Sequence, residues 1–248
     1  MRENHIPAKA EDDIINGYQI PKVDIVVPVL NEIETLPGFL ERIDALKLSP
    51  NLIVVDNGST DGTLEFLASW GEITVIAHGE NLGYGQSLID GLMASTADGV
   101  IIIDADCEYP PEAIPAILDA LADHDLVYAS RFLDGAGIDM SRSRVWGNRF
   151  LTFLFNLLYH QRLTDLYTGM KGMRRQVLDT LTFERSGFEH VVELAAKASR
   201  HGFRIIEIPV EYAPRQSGRS KMRHVPEFFK AVYCLMNFRL VPDKPTRM

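Results

Sequence analysis

The segment Ile101–Glu112 reads IIIDADCEYPPE. Its apolar half continues a short run from Gly99 to Ile103, which reads as a strand buried on both faces. Pro110 and Pro111 then open a helix over 111–122, because proline's fixed φ and missing N–H are tolerated in a first helical turn. Between strand and helix stand Asp104 and Asp106. Working outward, the same alternation recurs. Strands over 23–29, 51–55 and 73–77 precede helices over 34–46, 63–70 and 87–95, and a further strand follows over 126–129. Continuous apolar strands alternating with helices of about ten residues specify an α/β fold, a parallel sheet covered on both faces. Such sheets bind ligands beyond the carboxyl ends of their strands, and each motif below falls at one of those ends.

Asp104 and Asp106 are two residues apart. If the strand persists, its period of two turns both side chains the same way. Adjacent carboxylates repel, and a cation between them resolves the repulsion. Their hard oxygens suit Mg²⁺ or Mn²⁺, which keep positions open for phosphate oxygens. VVPVLNE (Val26–Glu32) ends a strand with Pro28, Asn31 and Glu32. VVDNGSTDGT (Val54–Thr63) ends another with Asp56, a carboxylate able to accept from a base N–H or a ribose hydroxyl. Asp61 or Ser59 caps the helix that follows, and Asp61 reads as that cap. NLGYGQSLIDG (Asn81–Gly91) is a glycine-bearing turn entering a helix; backbone N–H groups around Gly83 approach a phosphate or sugar there, or the motif is simply a tight turn.

The 248 residues imply one large domain with appendages: an N-terminal arm over 1–22, a main domain over 23–224, and a C-terminal amphipathic helix and tail over 225–248. Lys and Arg number 25 against 34 Asp and Glu, a net charge of -9 that excludes a whole-surface nucleic-acid binder. Two cysteines exclude a disulfide framework and read as reduced thiols of a cytosolic protein. The N-terminus lacks the apolar core of a signal peptide, and no stretch supplies the roughly 20 apolar residues of a spanning helix. The second half has two strongly apolar helices, over 142–160 and 225–240, around an ordinary amphipathic helix over 187–201 and a strand over 204–212. The apolar pair reads as core, as an oligomer interface or as a membrane-surface element. Basic residues gather beside them: Arg142, Arg144 and Arg149, then Arg215, Arg219, Lys221 and Arg223 in an acid-free stretch. In an acidic chain that local excess points to an anionic acceptor.

These motifs, with ASRF (Ala129–Phe132), TDLYTGMKGMRR (Thr164–Arg175) and RQSGRSKM (Arg215–Met222), stand in an order that resembles the family 2 glycosyltransferases, in their dolichol-phosphate mannosyltransferase-like branch. The resemblance implies a GT-A fold: a mostly parallel, Rossmann-like sheet flanked by helices, with C-terminal amphipathic helices. It implies an inverting enzyme that moves a hexose from a GDP- or UDP-linked sugar to a polyprenyl phosphate, dolichyl or undecaprenyl, with Mg²⁺ or Mn²⁺. Pro28, Glu32, Asp56, Gly83 and Asp104 would hold the nucleotide-sugar. Asp104, Asp106 and Glu108 would hold the metal. Asp106, Arg131 and Arg215 would act in catalysis, and Arg144, Ser220 and Lys221 would meet the acceptor phosphate. Two positions depart from the family pattern: Asn57 stands where a second acid is common, and Glu108 where Gln is common. The expected place is the cytoplasm, peripheral on the cytoplasmic face of a membrane, with a homo-oligomer or a membrane partner left open. Two alternatives remain: a hydroxyl acceptor with Glu189 as base, or a non-catalytic nucleotide-sugar-binding subunit.

Overall fold

The structure is a computed structural model, and it describes residues 14–15, 18–19, 22–48, 50–134, 140–214 and 224–241. In the arm, β1 (Ile14–Ile15) and β2 (Tyr18–Gln19) form a small antiparallel pair. The domain is built on β3 (Val23–Val29), whose β-branched run is flanked in parallel by β4 (Asn51–Asp56) and β6 (Gly99–Ile102). β5 (Thr74–Ala77) extends that half beyond β4. On the other side the order continues through β8 (Lys171–Arg174), β7 (Leu126–Ser130) and β9 (Ile205–Pro209), giving seven strands, β5-β4-β3-β6-β8-β7-β9. β8 runs antiparallel to both β6 and β7, and β9 is parallel to β7. The sheet is therefore mostly parallel with one reversed strand inside it. The 171–174 strand is absent from the sequence pattern because KGMR carries a lysine and an arginine where a buried strand normally carries apolar residues.

Alternate residues of β3 feed two cores. Ile25 and Val27 pack with α1 (Leu36–Ala45) through Phe39 and Leu40, and with α4 (Ile114–Leu121) through Ile117. Val26 faces α3 (Tyr84–Ala94) through Leu88 and Leu92, and that core extends to α5 (Arg142–Tyr159), α7 (His190–Arg200) and α8 (His224–Leu240). α2 (Thr63–Ser69) and α6 (Arg175–Thr180) are short connecting helices. A 3₁₀ turn over Pro111–Ala113 carries the predicted proline start before α4.

α3 also braces the loop ahead of α7. Gly85 in its first turn lies so close that a Cβ would sit 2.3 Å from the Arg185 carbonyl oxygen and 2.6 Å from that of Gly187. Only a residue without a side chain permits that approach.

α5 and α8 divide the roles left open by the sequence. Leu151, Phe155 and Tyr159 of α5, with Ala231, Cys234, Leu235 and Phe238 of α8, are buried, and the Tyr159 hydroxyl donates to the Leu235 carbonyl at 2.9 Å. One face of each helix is therefore core. The opposite face is open: Trp146 is 65% exposed and Phe229 66%, with Phe153, Leu157, Tyr233 and Leu240 beside them. No helix among the described residues is long and apolar enough to cross a membrane.

Candidate active site

At the carboxyl ends of β3 and β6 a cavity of about 760 Å³ opens. Pro28, Glu32, Asn57, Gly83, Asp104, Asp106, Glu108, Arg131 and Arg144 line it, and so do Trp146, Leu151, Val225, Phe228 and Phe229. One cavity thus joins nearly all the described candidate residues to the apolar helices. Arg215, Ser220 and Lys221 lie outside the described residues.

The two aspartates arrive by a different route from the one their spacing suggests. β6 ends at Ile102, so the two-residue alternation does not carry them. They sit in the loop beyond it, where Cys107 takes a left-handed φ of 60°. Asp104 Oδ1 accepts from the Tyr84 hydroxyl at 3.0 Å, and Asp106 Oδ1 accepts from the Glu108 N–H at 3.0 Å. Burial, and then the Asp106 charge, push the Asp104 carboxyl above the usual carboxylate range, while Tyr84 and Lys171 pull it down. Lys171 is buried on β8, donates to the Thr168 carbonyl, and is lowered by burial against the pull of Asp104 and Asp165. Among the described residues no three His, Cys, Asp or Glu side chains converge as a complete metal cluster. Asp104, Asp106 and Glu108 line the same cavity, and the two aspartates are near enough for the Asp106 charge to act on Asp104. Such a pair of hard oxygen donors fits a divalent cation that completes its shell with substrate phosphate oxygens.

Arg131 is fixed from behind. Its Nε and Nη2 donate to the two Asp165 oxygens at 2.7 and 2.8 Å, and Nη2 also reaches the Tyr167 carbonyl at 2.9 Å. Among the described residues Nη1 has no hydrogen-bond partner. Asn148 donates to Asp165 Oδ1 at 2.6 Å, and Glu207 accepts from the Asp165 N–H at 2.8 Å. The guanidinium lies 5.6 Å from the ring centroids of both Tyr109 and Tyr212. A bidentate carboxylate and stacked rings hold a cation in one orientation at low solvent exposure. Asp165, Tyr84 and Lys171 are site residues that the motif reading did not single out. Asp165 and Lys171 both fall within the quoted TDLYTGMKGMRR segment.

Asp56 is fully buried and does not line the cavity; Oδ2 accepts from the Ser59 N–H at 3.1 Å and Oδ1 has no protein partner. Its neighbour Asn57 lines the cavity instead. Asn57 Nδ2 donates to Asn81 Oδ1 at 3.0 Å, while its Oδ1 accepts from the Leu82 N–H at 2.9 Å. An amide both donates and accepts, which an aspartate in the same place cannot do. The Gly83 N–H is used by Asn81 Oδ1 at 3.0 Å, so this turn is knit by side chains. A Cβ on Gly83, whose φ is +104°, would meet the Ser186 carbonyl oxygen at 2.4 Å. Gly62, not Asp61, is the N-cap of α2; Asp61 stands one residue earlier and closes the turn, accepting from the Thr63 N–H at 3.0 Å and its hydroxyl at 2.6 Å. Glu189, the alternative base, folds over Gly187 with Oε2 buried and without a protein partner, and it does not line the cavity.

This arrangement has relatives. The chain is 27% identical over 228 residues to a dolichol-phosphate mannosyltransferase of Pyrococcus furiosus, covering 88% of this chain and 64% of that one. It is 30% identical to an undecaprenyl-phosphate mannosyltransferase of Micrococcus luteus, over 81% of this chain and 87% of that one. Its fold superposes, at a TM-score of 0.73 and 21% identity, on glucosyl-3-phosphoglycerate synthase of Mycobacterium tuberculosis crystallised with Mn²⁺, uridine diphosphate and glucosyl-3-phosphoglycerate, covering 90% of this chain and 82% of that one. The family model described as Glycosyl transferase family 2 matches residues 24–182, the span that carries the sheet through β8, both aspartates and the Arg131–Asp165 pair. By that match the chain belongs to the family 2 glycosyltransferases.

Proposed function

We propose that the chain transfers a hexose from a nucleoside-diphosphate sugar to a polyprenyl phosphate at a membrane surface. The observation that carries this reading is one cavity lined both by the two aspartates and Arg131 and by aromatic side chains of α5 and α8. A diphosphate and a phosphate need the first set, and a long prenyl tail needs the second. The two relatives named above bear the names of lipid-phosphate mannosyltransferases, which supports the same acceptor.

Asp104 and Asp106 would hold Mg²⁺ or Mn²⁺, which when bound supplies charge neutralisation to a departing diphosphate. Arg131, held by Asp165, presents its remaining N–H groups to phosphate oxygens without further ordering. Arg144, exposed in the first turn of α5, also lines the cavity. A phosphate monoester is already anionic at neutral pH, so it attacks the anomeric carbon without a general base and the transfer is a single inverting displacement. The residues supply position and charge.

A hydroxyl acceptor would need a base, and the folded-back Glu189 is poorly disposed for that work. The two readings separate on one pair of variants. With a radiolabelled donor and polyprenyl phosphate, Arg144→Ala is expected to lower kcat/KM about 10- to 30-fold, the scale of one charge-assisted hydrogen bond. Glu189→Gln is expected to stay within about 10-fold of the parent, whereas removal of a true base costs about 10² to 10⁴. A crippled Glu189→Gln beside a normal Arg144→Ala would favour the hydroxyl reading.

Membrane attachment is a property of the exposed face alone. Phe238 is only 5% exposed and belongs to the core. Replacing Trp146, Phe229 and Tyr233 with serine is therefore expected to reduce sedimentation with anionic liposomes while leaving the melting temperature nearly unchanged. A wild-type protein that never sediments would leave that face to a second copy or another subunit.

A further inference from the structure

Where α8 meets the loops over 164–170 and 185–189, polar side chains gather that no step above uses. Glu227, in the first turn of α8, lines the cavity; Lys230 binds its Oε1 at 2.9 Å, while Oε2 is buried without a protein partner. Tyr167 lines the same cavity, and its hydroxyl is likewise buried and unpartnered. Behind them, Arg185 Nε and Glu189 Oε2 are buried without partners too. Burial raises the Tyr167 phenol above its ordinary value, and the neighbouring Cys234, Glu227 and Glu189 push the same way, so the group remains a neutral O–H. Four buried polar groups from three segments are a costly arrangement unless something hydrogen-bonds to them.

We propose that Tyr167 and Glu227 form a subsite that recognises the hydroxyl groups of the transferred sugar, so that α8 contributes to donor selection as well as to the apolar wall. The inference rests on the glycosyl-transfer reading above. Charge decides the class of occupant. Lys230 and Arg185 offset the charge of Glu227 and Glu189, so the corner is close to neutral and calls for neither a cation nor a further phosphate. An uncharged polyol fits both surfaces, since its hydroxyls donate to the free Glu227 oxygen and accept from the Tyr167 phenol. The corner shares one cavity with the carboxylate pair, and Phe188 of the 185–189 loop reaches toward it. Phe188 stacks on Tyr84 with ring centroids 5.0 Å apart, and the Tyr84 hydroxyl donates to Asp104. A sugar attached to a diphosphate at Asp104 and Asp106 therefore has this corner as a polar neighbour.

The test uses the full chain with Mn²⁺ and compares UDP and GDP with UDP-glucose and GDP-mannose by titration calorimetry, for the parent, Glu227→Gln and Tyr167→Phe. Both substitutions preserve shape, and melting temperatures report folding. The expected result is that the nucleoside diphosphates bind all three proteins within about twofold, while the sugar nucleotide preferred by the parent binds Glu227→Gln about 10-fold or more weakly and Tyr167→Phe about 5-fold more weakly, each the scale of one lost hydrogen bond. Should Glu227→Gln fail to fold, Tyr167→Phe decides alone. Folded variants that bind the sugar nucleotide as the parent does, or that lose nucleoside diphosphate and sugar nucleotide equally, would overturn the subsite while leaving glycosyl transfer intact. A parent that binds neither UDP nor GDP would overturn the transfer reading, and the subsite with it.

Discussion

Asp106→Ala is expected to lose at least about 100-fold in kcat, the scale of removing a principal electrostatic stabiliser from a preorganised site. Asp106 is only 6% exposed, and its neighbour Asp104 is pushed up by burial and by the Asp106 charge. Such a pair is unfavourable alone and favourable around a cation. Asp106→Asn keeps the shape and the acceptor for the Glu108 N–H but removes half of the negative charge, so its loss should be nearly as large. Excess EDTA should reproduce both losses in the parent. The measurement is initial-rate transfer at saturating donor across Mn²⁺ concentrations. Full activity of the parent in EDTA, or a near-normal Asp106→Ala, would remove the metal from the account.

Asp165→Ala is expected to lower unfolding stability by about 3–5 kcal/mol, because it leaves the Arg131 guanidinium buried without its counterion. The pair is bidentate, with side chains 9% and 0% exposed, and Asn148 and the Arg131 N–H also depend on the same carboxylate. Urea unfolding followed by tryptophan fluorescence reads the loss. A change below about 1 kcal/mol would mean that Arg131 relaxes to solvent and that its orientation toward the cavity is not set by Asp165. The double variant Arg131→Met/Asp165→Leu should recover part of the stability, since apolar replacement of a buried ion pair is often close to neutral. It should recover none of the transfer.

The difference between these two aspartates shows what the sequence makes legible. Asp104 and Asp106 follow directly on an apolar strand, so a local pattern finds them. Asp165 acts on an arginine 34 residues away, and no periodicity relates the two. Strands β3, β4, β6 and β7 are visible because central positions in a helix-covered sheet demand unbroken apolar runs. β8 is invisible for the converse reason: Lys171 is accommodated through the nearby Thr168 carbonyl and, by tertiary contacts, through the Tyr128 ring 5.3 Å away and the charges of Asp104 and Asp165. Arg174 is likewise satisfied by the Leu121 carbonyl at 2.7 Å. The apolar character of α5 and α8 can be read from composition. Which side is core cannot, because both helices carry large side chains around most of their circumference and only packing decides that Phe238 turns in and Phe229 out. Asn57 reads as a departure from a family pattern until its amide is seen to bridge Asn81 and Leu82.

The acceptor is the centre of the account, and one comparison tests it most directly. The same radiolabelled sugar nucleotide is offered with Mn²⁺ to a polyprenyl phosphate and to the polyprenol of identical chain length, and label is counted in the organic phase. Both acceptors present the same tail to the aromatic faces of α5 and α8, and they differ only in the phosphate that Arg131 and Arg144 are proposed to meet. The account predicts label on the phosphate alone, as an acid-labile sugar phosphodiester. Equal labelling of the polyprenol, or transfer to a soluble hydroxyl acceptor with none to the lipid phosphate, would contradict it.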